Sequence, residues 1–125
     1  MECKRVEWRA HMHKEMRRGF LSMWILWTLK KKRAPMYGYE IIQAFRKMAR
    51  GKWVPKAGTI YPILRRLEER GFVKSTWTAR KAGGPRRRYY KITREGEKAA
   101  KIVFSELRKL MVGFREFLHE LFGVD

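Results

Sequence analysis

The sequence predicts a mainly α fold with a two-stranded β wing, and three observations predict it. Apolar residues recur at helical spacing over most of the chain, as in Tyr37, Ile41, Phe45 and Met48. Val73, Ser75 and Trp77 alternate with Lys74, Thr76 and Thr78, which is the period of a strand. Between that run and "YKIT" lies "GGPRRRYY", Gly83 to Tyr90, where a double glycine and a proline set a turn and three arginines follow it.

The elements follow in order. Residues 2–17 place Trp8, Met12 and Met16 four apart, a weakly amphipathic helix, and Gly19 then allows a break or bend. A second helix from Phe20 to about Lys32 is apolar almost all round, which predicts burial on more than one side. "RAP", Arg33 to Pro35, ends it, because the residue before a proline resists helical geometry. A third helix is predicted over Tyr37 to Arg50. A fourth runs from about Gly58 or Thr59 to Arg70 with Ile60, Ile63, Leu64 and Leu67 on its apolar face. Pro62 is tolerated only in a first turn, which sets that start, and Gly71 with Phe72 supplies a C-terminal cap. Two strands, about Phe72 to Ala79 and Arg87 to Ile92, make a hairpin with "RKAGGP" as its turn. Thr93 caps the last helix, which carries Glu95 and Glu97 in its first turn and runs to about Phe122.

Composition narrows the function. The 125 residues suffice for one domain with a core, and 45% are hydrophobic, so the chain is expected to fold. The net charge of +19 exceeds what solubility needs and repels itself, which calls for a polyanionic partner. The most apolar run, Gly19 to Leu29, has about half the length of a membrane-spanning helix. A single cysteine, Cys3, permits no internal disulfide and fits a cytoplasmic location. There is no Walker-type loop, no Ser-His-Asp set and no carboxylate pair in a cleft-like context, so no enzyme is expected. His11, His13 and Cys3 make a poor metal set, because residues 11 and 13 of a helix do not face each other; neither metal nor cofactor is expected.

Helices followed by a hairpin with a basic tip and another helix give the order of a winged helix-turn-helix, here with an N-terminal helix and a long C-terminal dimerisation helix. Its third core helix suits the DNA major groove, about 12 Å wide. "MYGYEI" (Met36 to Ile41), "GTIYPILRRLEERGFV" (Gly58 to Val73) and "GGPRRRYYKITREG" (Gly83 to Gly96) resemble, in order and spacing, three signature blocks of the PadR family of transcriptional regulators. The resemblance spans about residues 18–100. It implies a dimeric winged-helix repressor in which the C-terminal helix, often with an N-terminal helix, makes the dimer, and in which Thr59 and Tyr61 face DNA. The expected division is a DNA-binding domain with its N-terminal helix over residues 1–92 and a dimerisation helix over 93–125.

Double-stranded DNA is the expected partner. Tyr61, Pro62, Arg65, Arg66 and Glu69 lie opposite the apolar face of the fourth helix, with Glu68 and Glu69 in its second half and no acidic residue from Thr59 to Arg66. A helix whose N-terminal end approaches phosphates needs that polarity. Lys56 precedes it and is placed for a phosphate. On the wing, Arg80, Lys81, Arg86, Arg87 and Arg88 are expected to meet phosphates or a narrow minor groove, and one of Tyr89 and Tyr90 to pack on the core while the other reaches a phosphate; Tyr90 is assigned to the DNA set. The chain holds no Asn and one Gln, Gln43, so base reading is expected to rest on Arg, Lys, Thr and apolar contacts.

Val103, Leu107, Leu110, Phe114, Phe117 and Leu121 follow a heptad seam, with Phe104, Met111 and Leu118 beside it. A helix of about 30 residues outreaches this small domain, so a second copy is the expected cover, and Trp8, Met12 and Met16 are placed to close over the seam. The function expected is that of a homodimeric, sequence-specific repressor. Two rivals are a low-specificity architectural DNA-binding protein and a sensor of a small aromatic effector bound by Trp8, Trp24 and Trp27.

Overall fold

The computed structural model describes residues 2–78 and 86–123, with the side chains of residues 2–6, 8, 9, 12 and 13 outside the description. The order is α1 (Glu2–Lys32), β1 (Met36–Tyr37), α2 (Gly38–Met48), α3 (Ala57–Glu69), β2 (Val73–Trp77), β3 (Arg88–Ile92) and α4 (Arg94–Phe122). The fold is mainly helical with a small antiparallel sheet in the order β1-β3-β2.

Helix α1 is continuous, so Gly19, where the sequence allows a break or bend, does not break it. A mid-helix glycine costs only about 1 kcal/mol relative to alanine. The turns after it are anchored by Leu21, Trp24, Ile25 and Leu29, all buried. The helix stops where Arg33 adopts a left-handed φ of 53° and its N–H returns to the Leu29 carbonyl at 3.2 Å, just before Pro35.

Strand β1 is an addition to the expected elements. Two residues show no alternation, and it exists only by pairing, Met36 with Tyr90 and Tyr37 with Tyr89. It shortens the next helix, whose first-turn Glu40 carboxylate accepts the Tyr37 N–H at 3.2 Å. Met48, expected on the apolar face, is instead exposed, because it is the last residue of α2 and lies past the core.

Helix α3 begins two residues earlier than Pro62 suggests. The Thr59 and Ile60 N–H groups both bond the Lys56 carbonyl, at 2.9 and 3.1 Å. Pro62 then removes the donor to a single carbonyl, that of Gly58, which lies at an exposed end of the helix. At the other end the Phe72 N–H reaches Leu67 and the Gly71 N–H reaches Glu68, both at 2.9 Å, with Gly71 at φ 77°. This is a Schellman cap, and it turns the chain directly into β2.

Ile41 and Phe45 from α2, the four expected residues of α3, and Val73 and Tyr90 from the sheet close one core with α1. Helix α4 is seated by Thr93, whose hydroxyl donates to the Gly71 carbonyl at 2.6 Å and accepts the Gly96 N–H at 3.0 Å. Gly96 is required here: a Cβ would collide with the Phe72 carbonyl oxygen. Ala100 and Phe104 pack on the core; from Arg108 onward α4 is exposed.

Candidate nucleic-acid interface

The apolar face of α3 fixes what its other face presents. With Ile60, Ile63, Leu64 and Leu67 buried, Tyr61, Pro62, Arg65, Arg66 and Glu69 point outward, Lys56 is exposed at the N-cap, and Thr59 is half-buried. Tyr61 is also positioned. A Cβ on Gly38 would meet its hydroxyl and ring, the Cε1 atom at 2.7 Å, so the phenol rests on the first residue of α2. In the sequence Gly38 is legible only as part of a motif, and no local spacing reveals this contact.

The wing root is joined to α3 by a three-residue network. Ser75 donates to one Glu68 carboxylate oxygen at 2.5 Å, and Arg88 donates to the other at 2.9 Å and to the Ser75 hydroxyl at 2.8 Å. Arg88 thus commits its guanidinium to partners on the protein's own surface, over the rings of Trp77 and Tyr90 at 5.8 and 5.7 Å, while staying partly exposed. Glu68 and Ser75 are positioning residues that the sequence pattern does not identify, since no periodicity links residues 68, 75 and 88.

Arg86 and Arg87 are held on aromatic faces. Arg87 lies 4.6 Å from the Tyr37 ring centroid and Arg86 5.6 Å from that of Trp77. Such stacking costs no charge and restricts long side chains. Thr78 clamps the ribbon below them, its N–H to the Arg87 carbonyl at 2.9 Å and its hydroxyl accepting the Arg87 N–H at 3.2 Å. Arg80 and Lys81 lie outside the described residues.

Tyr90 corrects the expected DNA set. It pairs between Met36 and Ser75 and is 4% exposed, so its ring belongs to the core. Burial raises its pKa above 10.0, while the Arg88 cation pulls the other way. The more exposed tyrosine of the pair is Tyr89, half-buried and edge-on to Tyr37 at 5.4 Å. Tyr61, Pro62, Arg65, Arg66 and Arg88, together with Glu68, Glu69 and the edge of Tyr90, line one depression of about 540 Å³ between α3 and the ribbon, so the structure brings the helix set and the wing root together.

The heptad residues stand elsewhere. Val103, Leu110, Phe114, Phe117 and Leu121 are exposed, Leu107 is half-buried, and Phe114 and Phe117 touch at 6.2 Å. Met16 is exposed, whereas the side chains of Trp8 and Met12 lie outside the description. Trp24 is packed in the core, edge-on to Phe45 at 4.8 Å, and Trp27 is exposed under Lys31 at 4.8 Å, so these two do not line a common pocket. Among the described residues no helix is long and apolar enough to cross a membrane, and no group of three His, Cys, Asp or Glu is placed to hold a metal ion.

This geometry matches known regulators. The chain is similar to a PadR-like transcription factor from Bacteroides fragilis, at 31% identity and a TM-score of 0.73 over 86% of this chain and 98% of that one. It is similar to a transcriptional regulator from Clostridium thermocellum, 32% identical with a TM-score of 0.73 over 83% and 98%. It is also similar to a PadR family regulator from Eggerthella lenta, 32% identical with a TM-score of 0.71 over 93% and 96%. A Lysinibacillus sphaericus protein of uncharacterised function is 32% identical over 101 residues, 81% of this chain and 86% of that protein. The model of the transcriptional regulator PadR-like family matches residues 25–102, which include α2, α3, the ribbon and the seat of α4, and the chain therefore belongs to that family of DNA-binding transcriptional regulators.

Proposed function

We propose that the protein is a homodimeric, sequence-specific repressor that inserts α3 into the major groove and lays the β2–β3 ribbon on the flanking backbone. The observation that carries this reading is the outward face of α3. Tyr61, Pro62, Arg65 and Arg66 are exposed on a helix whose opposite face is buried in the core. Arg65 and Arg66 have the donors to read guanine, Lys56 and Thr59 meet the backbone at the helix start, and Arg86 and Arg87 supply sequence-independent attraction. A dimer places two such helices on half-sites about 34–36 Å apart, which predicts a near-palindromic operator.

The test is selection of bound sequences from a random DNA pool, followed by titration of the winning duplex and a scrambled one at several salt concentrations. A specific repressor keeps a preference of about 10³-fold or more at physiological salt. Equal affinity for both duplexes would favour the architectural reading that the charge of +19 also suggests.

A further inference from the structure

Residues 2–20 of α1 lie upstream of the family match and carry six Lys and Arg against three Glu. Successive helical residues turn by about 100°, so Lys14, Arg17 and Arg18 share the face of Leu21, Ile25 and Thr28. That face is apolar and buried where α1 crosses the core. One turn earlier it is cationic, and there α1 passes beside the start of α3. The two helices enclose a cleft of about 520 Å³, with Lys14, Arg17 and Arg18 on one side and Gly58, Thr59 and Arg66 on the other.

None of the residues lining this cleft is acidic. Among the described residues Lys14, Arg18 and Arg66 form no ion pair. Arg17 is held with its guanidinium 5.0 Å from the Trp53 ring centroid, and Trp53 is edge-on to Phe45 at 5.1 Å, so the α1 wall is tied to the core. The N-terminal end of α3 adds the positive end of its dipole. Lys14, Arg18 and Arg66, brought to one cleft that no carboxylate lines, repel one another unless a polyanion lies between them.

We propose that this cleft is a second phosphate-binding surface, in which Lys14 and Arg18, across from Arg66, hold the DNA backbone that flanks the groove occupied by α3. The proposal rests on the placement of α3 in the groove. The N-terminal part of α1 then acts as an arm that lengthens the bound site, and the backbone passes between the arm and the recognition helix.

The experiment compares K14Q/R18Q with wild type in titrations of duplex DNA over a range of salt. A charge-matched variant, K98Q/K101Q at two exposed positions of α4, and R65A serve as controls. These positions are exposed except for half-buried Arg18, and circular dichroism checks that helix content is unchanged. K14Q/R18Q should make the log–log salt slope shallower by about 0.9 for each phosphate no longer neutralised, so by about 2 per bound protomer, while K98Q/K101Q leaves the slope unchanged. An equal effect from both double variants would overturn the proposal, leaving only net charge. So would K14Q/R18Q binding as wild type does while R65A binds weakly; the groove reading would then stand without the arm. If R65A and K14Q/R18Q both bind as wild type, the groove reading itself fails.

Discussion

Arg88 in β3 donates to the Glu68 carboxylate in α3 at 2.9 Å, a link spanning twenty positions of sequence. It ties the ribbon to the helix across the surface. Both side chains are partly exposed, so the pair contributes little to stability, about 0.5–1 kcal/mol. Its main effect is geometric. E68Q and R88Q should each weaken DNA binding, and a double-mutant cycle should show that the two effects are not additive. Because Arg88 is committed to Glu68 and Ser75, R88Q should leave the salt slope nearly unchanged, whereas R86A/R87A should reduce it by about one for each phosphate released. A drop of a full unit with R88Q alone would mean that its guanidinium leaves Glu68 for a phosphate.

Gly38 and Tyr61 make a second such joint. An alanine at position 38 has nowhere to place its methyl group without moving the Tyr61 ring. G38A should cost about 1–3 kcal/mol of stability and lower affinity for the best DNA site. Adding Y61A removes the obstacle, so G38A/Y61A should be as stable as Y61A alone in thermal unfolding. A G38A that binds and unfolds like wild type would show that the phenol is free to swing away.

These joints mark where sequence reading stops. The core faces of α2 and α3 are legible because Ile41 and Phe45, and Ile60, Ile63, Leu64 and Leu67, each repeat at the helical period and meet one core. The outward placement of Arg65 and Arg66 follows from the same arithmetic. Strand β1 is not legible, since two residues have no period, and its pairing partner is more than fifty positions away. That Tyr89 and Tyr90 point oppositely is legible, but which one faces inward depends on the register Ser75–Tyr90, which the turn alone does not determine. Gly19 misleads because a local preference of about 1 kcal/mol is set against tertiary anchoring that only the fold supplies.

Thr28 offers a test of the core. Its hydroxyl is buried with no hydrogen-bond partner among the described residues. Burying an unpaired hydroxyl costs about 1–3 kcal/mol, and valine has nearly the same shape. T28V should therefore raise the unfolding free energy by about 1 kcal/mol, read as a higher Tm. A lower Tm would show that the hydroxyl has a partner in solution.

Tyr90 predicts an alkaline effect. Its pKa is raised above 10.0 by burial, so the folded chain holds the phenolic proton more tightly than the unfolded chain does. Below about pH 10 both states keep the proton and the contribution is fully present. As pH rises further the unfolded state loses its proton first, binds fewer protons than the folded state, and stability falls until the folded phenol also titrates. Y90F lacks this effect. The stability difference between wild type and Y90F should stay constant up to about pH 10 and then shift against wild type, in denaturant titrations at stepped pH. A constant difference at every pH would show that the Tyr90 phenol is solvated.

The proposed dimer makes the last prediction. Leu110, Phe114, Phe117 and Leu121 lie along one side of α4 and are all more than half exposed. An apolar stripe of this length on an isolated monomer is a liability, and its spacings of 4, 3 and 4 are those of a helix–helix seam. Two copies of α4 packed along it would cover the stripe and hold two α3 helices at a set distance. L110K/F117K places charges in the seam but touches no residue of the core around Ile25 and Leu64. In sedimentation the wild type should run as a dimer at micromolar concentration, and the variant as a monomer with an unchanged near-ultraviolet spectrum. The variant should also lose most of its affinity for a two-half-site operator while retaining weak binding to a single half-site. A wild-type monomer, or a charged variant that stays dimeric, would place the dimer interface somewhere other than α4.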